Sequence, residues 1–131
     1  MPHIVIDHSD NLDTGHDLQA LSDELARVAV STGVFPKGGI RVRFHPARVW
    51  TIADGHPDNA YVAALLRIGE GRDTETRGRA AKAIHDALCA FFAKELEGGH
   101  FMVSTDLQVN EAAVSFKTNT VHARLAGENA T

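Results

Sequence analysis

The chain has 131 residues, 44% of them hydrophobic and 23% charged, with a formal net charge of −4. That is the composition of an ordinary globular protein with one modest core, and it excludes large-scale disorder. The negative balance argues against nucleic acid or an anionic membrane as the main partner, and no apolar run reaches the roughly 20 residues that a bilayer span requires.

The chain opens MPHIVIDHSD. Residues 3–7, HIVID, are apolar and β-branched, the signature of a strand. In the turn that follows, Asp17 is the expected helix N-cap, and Leu18, Leu21, Leu25, Val28 and Ala29 recur at helical spacing up to Ser31. Gly33 and Pro36 end that helix. Residues 40–50, IRVRFHPARVW, alternate Ile40, Val42 and Phe44 with Arg41, Arg43 and His45, which predicts a strand with two unlike faces and a bend at Pro46.

After the loop ADGHPDN, residues 60–69 read as a buried strand. Residues 72–99 then read as one long amphipathic helix, capped by Thr74, with Arg77, Lys82 and Lys94 on its wet side. Cys89 lies in the apolar run Ile84 to Phe92 and reads as a buried, reduced helix residue, not a nucleophile. Residues 100–109 form a further strand. The alternation of residues 110–125 predicts order up to Leu125, and 126–131 read as a frayed tail. No basic region followed by a long apolar stretch opens the chain, which is therefore read as a soluble cytoplasmic protein.

The element order is β-α-β twice, with units at about 2–58 and 59–125 inside a single domain. Right-handed crossovers make the strands within each unit parallel. The expected fold is α/β in the α+β sandwich sense: a four-stranded sheet with two helices on one face. Nothing left in the chain is large enough to cover the other face, so burial between subunits is expected. Ferredoxin-like RNA-recognition domains share the element order, but they need aromatics and basic residues on their central strands. This chain offers one phenylalanine there and the wrong net charge.

Few residues stand out as chemistry. A methionine followed by proline is usually trimmed, which would leave Pro2 as a secondary amine at the start of a strand. An α-amino group titrates at about 7.7–8.0, and burial or nearby cations lower that value toward what a general base needs. Arg41 and Arg43 share a strand face. Arg72 stands where a strand ends and a helix begins, a position suited to an anion. The eight histidines are scattered without metal-ligand spacing, so no metal is expected. Neither a GxSxG nucleophile nor a dinucleotide fingerprint is present.

With PHIVIDHSDN at the start, TGVFPKGGIRVR, WTIADGHPDNAYVAALLRIGEGRDTETR and FKTNTVHA, the chain resembles the 5-carboxymethyl-2-hydroxymuconate isomerase family of the tautomerase superfamily, from Pro2 to Arg124. The resemblance implies a tautomerase-like trimer of tandem β-α-β units that needs no cofactor. It implies Pro2 as catalytic base and acid, and Arg41, Arg72 and, with a less defined role, Arg43 as binders of a small polycarboxylate in aromatic-acid (homoprotocatechuate) degradation. The rival readings are a hydratase, dehalogenase or decarboxylase on a small unsaturated acid, with Asp7, Asp106 or Glu111 activating water, and a non-catalytic trimeric binding protein that retains Met1.

Overall fold

The computed structural model describes residues 2–130, with side chains through Glu128. Met1, whose removal the sequence reading expects, and Thr131 of the tail lie outside the described residues. The strands are β1 (His3–Ser9), β2 (Arg41–Ala47), β3 (Ala60–Gly69) and β4 (Phe101–Asn110). The helices are α1 (Leu18–Ser31), α2 (Thr74–Phe91), α3 (Ala93–Glu97) and α4 (Thr120–Ala130).

The strands form one sheet in the order β2-β1-β3-β4. β1 pairs parallel with β2 and β3 parallel with β4, while β1 and β3 meet antiparallel at the centre. Two β-α-β units are thus joined back to back, as the element order predicts. On one sheet face Ile4, Ile6, Val62, Ala64, Leu66 and Ile68 meet Leu21, Leu25 and Ala29 of α1 and Ala80, Ile84 and Leu88 of α2 in one continuous core. Each large aliphatic side chain buried there contributes about 1.5–3 kcal/mol. The residues that alternate with them, including Val5, Ala63, Leu65 and Met102, point to the opposite face and are half-buried or exposed.

Local chemistry sets the boundaries. The Asp17 carboxylate accepts the Ala20 N–H at 3.0 Å and caps α1, as its sequence position predicts. α1 ends at Gly33, whose φ of +71° is one a β-carbon disfavours. α2 is capped by Asp73, not Thr74: the Asp73 carboxylate accepts the Thr76 N–H at 2.8 Å from an extended backbone. The predicted long helix also breaks. Phe92 leaves helical geometry at φ −100°, ψ 24°, and α3 restarts at Ala93. Phe92 is fully buried, with the rings of His16, Phe91 and Phe101 at 5.4, 4.9 and 4.8 Å. Cys89 is half-buried, not buried, and its sulfur lies 3.5 Å from His85 Nε2. Pro46 sits inside β2 without cost, because β2 is an edge strand.

The tail differs most from expectation. Residues 112–114 form a short 3-10 turn, and α4 runs to Ala130, across most of the stretch read as frayed. Asn119 explains the switch from extended chain to helix. Its Oδ1 accepts the N–H groups of Val121 and His122, at 2.9 and 3.0 Å, and its Nδ2 donates to the Gly38 carbonyl at 2.8 Å. Gly38 lets the helix approach: a β-carbon there would stand 2.6 Å from His122 Cα. Gly38→Ala is therefore expected to push α4 off the body of the protein. Faster proteolysis or hydrogen exchange within 120–130, with the sheet amides unchanged, is the readout.

Candidate active site

The antiparallel centre of the sheet brings the starts of β1 and β2 to the end of β3. Pro2 directly precedes β1; its side chain is fully buried and its carbonyl accepts the Arg41 N–H at 3.2 Å. His3 is in register with Arg41 on β2 and with Arg67 on β3. The three side chains therefore form one row across three strands on the face away from α1 and α2, at about 4.8 Å per strand. All three line a pocket of about 660 Å³, whose far wall is the segment after β4 and includes Glu111, Phe116 and Lys117.

Electrostatics hold His3 neutral. Burial first, then the guanidinium groups of Arg41, Arg67 and Arg43, lower its pKa from 6.5 to about 4. Arg43 Nη1 lies 3.0 Å from His3 Nδ1, and because arginine can only donate, Nδ1 is the accepting nitrogen and the ring proton sits on Nε2. The unfolded chain takes up this proton near pH 6.5, whereas the folded chain refuses it until about 4. His3 therefore contributes stability above pH 6.5 that is lost as pH falls toward 4. A thermal melt series over that range is expected to decline less steeply in His3→Gln than in the wild type.

The sequence profile described as 5-carboxymethyl-2-hydroxymuconate isomerase matches residues 2–125. The chain belongs to this family. It is 35% identical over 123 residues to the 5-carboxymethyl-2-hydroxymuconate Delta-isomerase of Escherichia coli, covering 94% of this chain and 98% of that one. Two solved structures are similar. One is a 5-carboxymethyl-2-hydroxymuconate isomerase from Deinococcus radiodurans R1, 30% identical with a TM-score of 0.84, and the other a 5-carboxymethyl-2-hydroxymuconate delta-isomerase, 31% identical with a TM-score of 0.82. Each covers 95% of this chain and 93% of its own. The fold is that of the tautomerase superfamily.

Within this isomerase-family chain the residues nominated from sequence are distributed unevenly. Arg41 lines the pocket, Pro2 joins it by a backbone bond without lining the pocket itself, and Arg43 reaches the row through His3. Arg72 follows β3 at the same end of the sheet, but its guanidinium donates to the Val34 carbonyl at 3.1 Å and, more weakly, to that of Gly69, and it stacks over the Phe35 ring at 5.3 Å. In this chain it pins the connection between α1 and β2 and does not line the pocket. Of the three acids held as water activators, Asp7 accepts the Tyr61 hydroxyl at 2.6 Å, and Asp106 is exposed on β4. Glu111 is the one on the pocket wall. Burial, followed by the Asp7 bond and charge, drives the Tyr61 phenol up to about 12.

Sequence reading passed over Arg67 because it lies in a run that looks continuously buried. Its strand position was the usable signal: Tyr61, Ala63, Leu65 and Arg67 alternate with the core residues of β3. The fold also gathers three residues that the sequence scatters, His56, Asp58 and His100, with potential ligand atoms within 4.8 Å of one another. Their imidazoles are already engaged. His56 Nδ1 accepts the Asp58 N–H at 3.1 Å, and His100 Nδ1 bonds Asn59 Oδ1 at 3.1 Å.

Proposed function

We propose that this chain is a cofactor-independent 5-carboxymethyl-2-hydroxymuconate isomerase that uses the Pro2 amine as base and acid. The observation that carries this reading is a buried proline at a strand start, adjacent in the chain to the row Arg41, His3 and Arg67 that lines a 660 Å³ pocket. With Met1 removed, burial and the neighbouring guanidinium groups keep the amine neutral at physiological pH. The substrate is a 2-hydroxy dienoate bearing three carboxylates. The proline nitrogen takes the proton from the 2-hydroxyl, and its ammonium delivers one to a carbon further along the conjugated system, leaving a 2-oxo enoate. Arginine forks bind the carboxylates and oppose the charge that grows on the 2-oxygen.

Arg41 is the first binder in this reading, Arg43 acts by holding His3, and Arg72, turned onto the Val34 carbonyl, steadies the connection between α1 and β2. The units at about 2–58 and 59–125 work as one domain, since one core runs through both. Val5, Ala63, Leu65 and Met102 on the second sheet face support a homotrimer that buries them. No helix of the described residues is long and apolar enough to cross a membrane. We place the protein in the cytoplasm, in the breakdown of aromatic acids.

Two measurements test the reading. Intact mass of the purified protein is expected to lack Met1, and ultraviolet spectra are expected to follow turnover of 5-carboxymethyl-2-hydroxymuconate. A retained methionine blocks the amine and sinks the proline mechanism. Water addition to an unsaturated acid is the second reading, favoured by Glu111 on the pocket wall; it requires a hydrated product in the same assay.

A further inference from the structure

We infer that Arg67 and the neutral His3 form, with Arg41, a three-donor receptor for a polycarboxylate, and that Arg67 binds a carboxylate distinct from the one on Arg41. This rests on the functional reading above and assigns the pocket a ligand geometry. Arg67 Nε is buried without a hydrogen-bond partner among the described residues. A buried donor left unmade carries a penalty, larger when the group is charged, and a carboxylate oxygen removes it. The register places Arg41 and Arg67 on opposite sides of His3, two strand spacings apart, roughly 10 Å between backbones. That separation suits two carboxylates on a short carbon skeleton, one at each fork.

His3 fills the gap between them. Its Nδ1 accepts from Arg43, so the remaining N–H is on Nε2, and a neutral imidazole sits between cations without adding repulsion. A donor at the midpoint of a bound dicarboxylate skeleton meets an oxygen between its two ends. The pocket is not purely cationic. Glu111 and Lys117 stand on the opposite wall, and no ion pair of either with the row is present among the described residues. The competing role for Arg67 is structural, its stem packing on the sheet face and its head meeting a second copy of the chain. The two roles separate by what a substitution changes.

The experiment uses the full chain and two ligands, the isomerase substrate and tricarballylate, a saturated tricarboxylate that cannot react. Calorimetric titration with tricarballylate is expected to show binding that weakens about 10–100-fold in Arg67→Gln and in Arg41→Ala. Arg67→Lys keeps the charge without the fork and is expected to recover part of the loss, which also guards against a Gln variant that folds poorly. In steady-state assays Arg67→Gln is expected to raise KM by a similar factor, with kcat within about threefold. A tricarballylate Kd for Arg67→Gln within twofold of wild type overturns the inference, as does a change in oligomeric state with unchanged Kd. Wild-type binding without any turnover leaves the receptor standing and removes the isomerase reading instead.

Discussion

Pro2→Ala is expected to lower kcat about 10²–10⁴-fold, the range contributed by a positioned acid–base group, with KM changed little. The substitution keeps an amine at the chain start but removes the ring that fixes φ and the secondary nitrogen that the buried position encloses. A primary amine is less constrained, so its lone pair spends less time aimed at the substrate, and a residual rate above background is part of the expectation. Progress curves at saturating substrate provide the measurement, with the intact mass of the variant confirming that its initiator methionine has been removed. A near wild-type kcat would mean that another group moves the proton, and Glu111 would be the first to examine.

The second large effect concerns stability. Phe92→Ala is expected to cost about 3–5 kcal/mol, the usual range for emptying a buried aromatic site. Phe92 has no exposed surface and joins α2, α3 and the start of β4 through the rings of His16, Phe91 and Phe101. The backbone is non-helical at this residue because the side chain turns inward. The cavity is therefore walled by separate elements that cannot easily collapse on it. At fixed protein concentration the melting midpoint is expected to fall by about 10–20 °C. A drop of only a few degrees would show that α3 is free to refill the space.

Much of the scaffold was legible because it rests on local periodicity. The β3 boundaries matched residues 60–69, and the Asp17 cap, the parallel units and the single covered face all followed from pattern and handedness. What failed needed tertiary information. The break at Phe92 is invisible in a continuous helical pattern, because only the position of β4 and His16 decides which way that ring points. The tail read as alternating because Val114 and Phe116 are spaced by two. Its helix depends on Asn119 meeting Gly38, 81 residues away in sequence. For the candidate site, Pro2 and Arg41 were nominated from sequence, but Arg67 was not. A strand reads as buried when its core face is apolar, and one arginine on the other face is easily absorbed into that impression. Arg72 was placed at the correct end of the sheet from its position after a strand, yet its carbonyl contacts could not be foreseen.

If Pro2 is the base, the back-to-back arrangement of the two units also sets how many reactive ends each chain has. The second unit has its own strand start, and the residue in the place of Pro2 is Asn59, immediately before β3. Asn59 is nearly buried, and its side-chain amide donates to the Ile52 carbonyl and the Asp54 carboxylate. Its nitrogen is locked in a peptide bond in the middle of the chain. Under the proposed Pro2 mechanism, joining two halves into one polypeptide leaves an amine at one of two symmetric positions and frees the other for structural use. An assembly of three such chains offers three reactive ends where six unlinked halves would offer six.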